Sequence, residues 1–206
     1  MPTSWDPAVL MERVEGAASL DRLADPLRDA VGRLPQQARS ILEGQWLGHP
    51  LHPLLTDLPI GFWTTSWLLD LTVPKRAART STAMVGLGVA AAIPTMAAGL
   101  TDWAKLSRGK RRVGLVHLGL NVVATAAYAS SFTARVGGRR RHGIALGMLG
   151  AAVASASGYV GGHLAFGSDQ AEDPNGVTDD GRLQVTGQHL HGDPGNDERT
   201  EPLLGA

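Results

Sequence analysis

The segment WLGHPLHPLLTDLPIGFW, residues 46–63, opens the first of four apolar runs, and its reading decides the rest. His49, Pro50, His52 and Pro53 stand at its mouth, and Asp57 lies one to two turns inside. Beyond them the run continues to Thr72 without a lysine or arginine. Titratable groups at the entrance of an apolar helix are costly to bury unless they are partnered or used.

Three further runs follow, at about 81–103, 113–134 and 144–166. Each matches the roughly 20 residues needed to cross a bilayer core. Lys and Arg are absent from these runs and crowd the connections: Lys75, Arg76 and Arg79, then Lys105 to Arg112, then Arg135 and Arg139 to Arg141. The pattern predicts an all-α, integral membrane four-helix antiparallel bundle. A soluble all-α fold with buried helices is the competing explanation, but four such runs are rare in so small a soluble chain. In the fourth run Gly147, Ala151, Ala154, Gly158 and Gly162 form a small-residue stripe. It suits close helix packing and also leaves room for a flat ligand. Pro59 and Pro94 remove backbone donors inside runs, so the carbonyls they free need other partners.

Charge separates the chain into three parts. Residues 1–45 read as an amphipathic helical lead-in, 46–166 as the four-span domain, and 167–206 as an acidic disordered tail. The block 47–166 holds twelve Lys/Arg against Asp57, Asp70 and Asp102, while the tail holds nine acids against Arg182 and Arg199. A basic middle between apolar runs points to a bilayer with anionic headgroups and away from nucleic acid. The absence of cysteine removes disulfides, thiolate metal sites and covalent c-type haem. The first thirty residues carry charge throughout and show no signal peptide. Asp6-Pro7 and Asp25-Pro26 both read as an N-cap followed by proline. Leu20, Leu23, Leu27, Val31 and Leu34 give an apolar stripe, for the membrane surface or for the bundle.

Four antiparallel spans bring one set of polar groups to one membrane face: His49, His52, Asp57, Asp102, His117 and His163, with Thr101 and Asn121 beside them. The opposite end offers only Asp70 in a span and His142 in a loop. Four readings suit this convergence. His52, His117 and His163 supply axial ligands for haem b, with Lys110 to Arg112 meeting its propionates and electron transfer as the use. Two or three of the histidines among His49, His52, His117 and His163, with Asp57 or Asp102, hold a divalent metal such as zinc or iron. The histidines and aspartates relay protons. Or the set is structural, bonding helices together in a noncatalytic membrane anchor or subunit. His189 and His191, two ligands in a tail, do not define a metal site. Nothing matches a hydrolase triad, a phosphate loop or a nucleotide fingerprint, so no catalytic residue is assigned.

GHPLHPLLTDLPIGFW at 48–63, GLTDW at 99–103, RRVGLVHLGLNVVA at 111–124 and GYVGGHLAF at 158–166 resemble the signature of an uncharacterised bacterial membrane-protein family, domain of unknown function 2231. The resemblance covers about 46–166. It implies a four-span helical bundle and marks His49, His52, His117 and His163 as motif positions. Relatives joined to Rieske-type redox modules imply an electron-transfer role. This chain lacks those ligands, so a redox partner would be a separate protein. The positive-inside tally is close to even, and the polar N-terminal block favours cytoplasmic termini in a multi-pass inner (plasma) membrane protein.

Overall fold

The computed structural model describes residues 7–166. Seven α-helices follow one another: α1 (Pro7–Glu15), α2 (Asp21–Gly32), α3 (Gln36–Leu42), α4 (Leu51–Thr72), α5 (Ala78–Trp103), α6 (Arg108–Val136) and α7 (Arg140–Phe166). No strand occurs among the described residues. The tail assigned to 167–206 lies outside them.

Three of these helices, α5, α6 and α7, are long and apolar enough to cross a membrane. α4 is not among them. It has the length, but His52, Pro53, Asp57, Pro59 and Asp70 dilute its apolar residues. The all-helical expectation therefore holds, while three of the four expected spans stand out by composition.

Two antiparallel hairpins, α4–α5 and α6–α7, dominate the packing, and α5 also packs on α6. The interfaces rest on glycines that seat large side chains. A Cβ on Gly88 would overlap the Trp63 indole, and one on Gly99 would lie 2.7 Å from the His52 ring. In the second hairpin, Cβ atoms on Gly150 and Gly161 would approach the Tyr128 and His117 rings to 2.9 and 2.8 Å. Real Cβ contacts are essentially never that close. Glycine is therefore required at these sites by space and not by backbone angle. The anticipated small-residue stripe on α7 is displaced by one position over part of its length. Gly143, Gly147, Gly150 and Ser157 are buried, with Gly161 under His117, whereas Gly158 and Gly162 face open space.

These contacts expose an internal duplication. Residues of α4 recur on α6 at an offset of 65: His52 and His117, Trp63 and Tyr128, Ser66 and Ser131, Asp70 and Arg135. Their partners on α5 recur on α7 at an offset of 62: Gly99 and Gly161, Thr95 and Ser157, Gly88 and Gly150, Ser81 and Gly143. The duplicated aromatics meet at the centre, where Trp63 and Tyr128 stack 3.9 Å apart and nearly parallel. Val85, Ala92 and Phe132 pack around them. The two cross-hairpin edges differ. Phe132 lies against Gly86 and Trp103 against Gly114, which closes α5 on α6. The corresponding pairs, Trp67 with Met148 and His49 with Ala165, offer no glycine seat, and α4 barely touches α7.

The lead-in helices are ordered against one end of this assembly. Met11 of α1 is buried with Val113 and Val160, flanked by Val14, Leu120 and Leu164. α2 touches α6, and α3 touches α5. Asp25-Pro26 does not start a helix: α2 begins at Asp21 and carries Pro26 inside it. Its buried face runs through Ala24 and Val31, while Leu23 is 66% exposed, so the expected leucine stripe is only partly the packing face. Gly44 and Gly48 adopt the left-handed region, with φ of 72° and 74°, on either side of a 3-10 turn at Gln45–Leu47. They turn the chain from α3 into Pro50 and α4 at little steric cost.

Candidate functional site

The histidine end is built from the α4 and α6 N-termini and the α5 and α7 C-termini. His52 Nδ1 lies 2.9 Å from the Thr95 carbonyl. A carbonyl only accepts, so Nδ1 carries a proton and donates. Pro59 leaves the Leu55 carbonyl without its helical donor, and the Thr95 hydroxyl supplies one, divided between Ala91 O at 2.8 Å and Leu55 O at 3.1 Å. The sequence expectation that a freed carbonyl finds a partner across the helices is met here.

The second hairpin repeats this arrangement. His117 Nδ1 donates to Ser157 O at 2.8 Å, and Ser157 Oγ donates to His117 O at 3.2 Å. His117 Nε2 accepts from Asn121 Nδ2 at 3.0 Å. The two imidazoles lie within electrostatic range of each other.

The other expected site residues go elsewhere. His49 and Asp57 are exposed and have no partner among the described residues. Asp57 therefore does not face the interior as a buried ligand would. Asp102 lies 3.9 Å from Lys105 and within electrostatic range of His52. His163 lies 3.6 Å from Glu15 of α1. Among the described residues no three His, Asp or Glu side chains group as a metal site. The basic stretch before α6 is also spent internally. Arg112 makes a two-pronged bond to Asp21, at 2.8 and 2.7 Å, and reaches Glu15 O. Arg111 is buried and bonds Leu106 O, while its own carbonyl accepts from the Trp103 indole. Only Lys110 of that trio has no bonded partner among the described residues.

The densest polar network lies at the opposite end. Arg135 falls inside α6, not in a connection as the sequence suggested. Its side chain is 3% exposed and that of Asp70 is 4% exposed, and they pair at 2.7 Å. Arg140 of α7 contacts the other Asp70 oxygen at 2.7 Å. The Ser81 hydroxyl donates to that same oxygen and accepts from Arg135 Nη1 at 2.7 Å. Its single hydrogen is then used, so Ser66 is the donor in the 3.2 Å Ser66–Ser81 bond. Ser131 accepts from Arg135 Nε at 3.1 Å and donates to Gly143 O. All four long helices contribute. After Val136 the chain reverses through Gly138, at φ 77°, with Arg139 N bonding Ala134 O at 2.8 Å and Gly138 N bonding Arg135 O at 3.1 Å. This helix stop places Arg140 in the first turn of α7, from which it reaches Asp70 Oδ1 while Arg135 holds Oδ2. The signal missed in the sequence is the 65-residue offset that aligns Asp70 with Arg135 and Ser66 with Ser131.

Long apolar helices joined by buried polar bonds and seated on glycine define an all-helical membrane protein. The chain belongs to the family described as "Predicted membrane protein (DUF2231)", whose profile matches residues 48–171. No curated protein and no solved structure matches the chain.

Proposed function

We propose that α4 to α7 cross an inner (plasma) membrane as a bundle of two equivalent hairpins, with both termini cytoplasmic, and serve as a noncatalytic membrane subunit working through partners. One observation carries this reading. A set of polar groups between the long helices is engaged in helix–helix bonds: His52, Thr95, His117, Ser157, Asp70, Arg135, Ser66, Ser81 and Ser131. Buried bonds of this kind fix register and leave little chemistry over. α4 joins the span set here because it is as long as a bilayer requires and forms one half of a hairpin whose other half is apolar.

The cysteine-free chain allows a direct test. Lys75→Cys, Ser107→Cys and Gly138→Cys are labelled with an impermeant maleimide in intact cells and in inverted vesicles. The proposal expects positions 75 and 138 on one side and 107 on the other. A cysteine replacing Gly48 on the same side as position 75 would remove α4 from the span set.

A second reading is favoured by the equivalence of His52 and His117. Both rings hold a proton on Nδ1 toward a carbonyl, so Nε2 is the nitrogen each could offer a metal, and the two rings lie within electrostatic range of each other. Such a pair suits haem iron or a divalent metal, with electron transfer to a separate redox partner. The fit is partial, because Asn121 engages His117 Nε2 and both rings are pressed into their own hairpins over glycine. His49, Asp57, Asp102 and His163 do not join this pair. Visible spectra of the detergent-purified protein, oxidised and reduced, with elemental analysis, decide between the readings. A Soret band lost in both His52→Ala and His117→Ala establishes the ligand pair. A colourless protein without stoichiometric metal keeps the first reading.

A further inference from the structure

A groove of about 490 Å³ lies where the lead-in meets the long helices. The end of α2 contributes Arg28 and Arg33, α3 contributes Arg39 and Glu43, and the end of α5 contributes Thr101 and Lys105. Four cations thus face one space. Two are neutralised: Arg28 pairs with Asp29 at 2.9 Å, and Lys105 with Glu43 at 3.2 Å. Arg33 and Arg39 have no ion-pair or hydrogen-bond partner among the described residues. Glu43 opposes an anion, but Lys105 and Gln45 already engage its carboxylate, and the Arg39 charge reaches it. The lining thus carries four cations against Asp29 and Glu43, and Arg33 and Arg39 are its two guanidiniums with no bonded acid among the described residues.

Their position gives the ligand class. α5 is one of the helices fit to cross a membrane, and the groove lies at its end, where the headgroup layer of a bilayer would be. Guanidinium forks match phosphate oxygens in pairs, and a basic groove at that depth selects anionic headgroups. We propose that Arg33 and Arg39 form a phosphate-binding site whose ligand is the phosphate of an anionic phospholipid. This site uses none of the histidines discussed above, and it does not depend on whether α4 spans.

The test uses the full chain in nanodiscs of phosphatidylglycerol mixed with phosphatidylcholine, with bound lipid counted by native mass spectrometry after detergent extraction. The variant Arg33→Gln/Arg39→Gln is expected to lose phosphatidylglycerol retention by about tenfold or more, at an unchanged unfolding temperature. Arg33→Lys/Arg39→Lys keeps the charge and retains part of the binding. Arg76→Gln, at the opposite end, is expected to retain lipid as the parent does. Competition by millimolar inorganic phosphate would assign the site to phosphate as such, and retention without competition to the lipid. Equal retention by the double glutamine variant, or an equal loss in Arg76→Gln, overturns the site.

Discussion

The two ends of the long helices solve the burial of polar groups differently. At the histidine end each imidazole bonds a carbonyl of its own hairpin, His52 to Thr95 and His117 to Ser157. At the other end the bonds cross between hairpins, since Asp70 of the first is held by Arg135 and Arg140 of the second. One end closes each hairpin, and the other joins the two together. The internal correspondence of the hairpins serves both purposes. Equivalent positions are alike where they act within a hairpin, as His52 and His117 do. They are complementary where they meet across the centre, as Asp70 and Arg135 do.

The largest effect therefore belongs to the charged end. Arg135→Met leaves Asp70 buried with only Arg140 and Ser81, and breaking a buried pair from one side costs about 3–5 kcal/mol. Equilibrium unfolding in detergent measures it. Asp70→Asn/Arg135→Gln removes both charges together and is expected to recover a good part of the loss. A change under about 1 kcal/mol for Arg135→Met would remove the joining role from this network.

The glycine seats come next and sharpen the comparison within α7. Gly161→Ala drives a methyl group against the His117 ring, and Gly150→Ala does the same at Tyr128. Each is expected to cost about 1–3 kcal/mol, as overpacking does. Gly158→Ala and Gly162→Ala meet open space and should be neutral, or stabilising by about 0.5–1 kcal/mol through helix propensity. Costs at Gly158 and Gly162 with none at Gly150 and Gly161 would return the packing face to the stripe read from the sequence.

That contrast shows what the sequence disclosed and what it did not. The apolar runs were legible because lysine and arginine interrupt them at the connections. Arg135 misled for the same reason, since a charge beside an apolar run reads as its end. The helix instead continues to Val136 and buries the guanidinium against Asp70. The stripe on α7 was misplaced because small residues are so dense there that several faces fit, and only the crossing with α6 chooses among them. His52 and His117 were legible as polar groups in spans. Asn121 beside His117 was legible too, whereas the Thr95 and Ser157 carbonyls were not, because a backbone carbonyl leaves no mark in a sequence. The shared site expected of the six residues rested on their level along the helices, and level does not fix the direction of a side chain. Asp57 shares the level of His52 and is exposed.

Smaller effects are expected for the histidines as helix–helix bonds. His52→Ala and His117→Ala should each cost about 0.5–1.5 kcal/mol beyond the side-chain volume removed. The duplication requires the two losses to be similar, with His117 the larger because Asn121 also loses its acceptor. A loss at one position several times the loss at the other would show that the hairpins are not energetically equivalent.

The smallest effect separates the lead-in from the long helices by pH. The hydrogen bonds from Arg112 hold the Asp21 carboxyl below its ordinary range, with the charges of Arg112, Arg108 and Arg111 adding to them against the cost of burial. A carboxyl with a folded pKa below its unfolded value stabilises fully above the unfolded pKa, near 3.8–3.9. That contribution fades as the pH falls from there through the folded pKa. The docking of α1 and α2 on α6 should therefore loosen in acid, while the Trp63–Tyr128 core stays packed. Hydrogen exchange at α2 amides, followed from pH 6 to pH 3 and corrected for intrinsic rates, reports the loosening. Asp21→Asn should abolish the pH dependence at α2 and leave α5 unchanged, and added salt should reduce it. If the α2 amides keep the same acid dependence in Asp21→Asn, the Asp21–Arg112 pair does not fasten the lead-in.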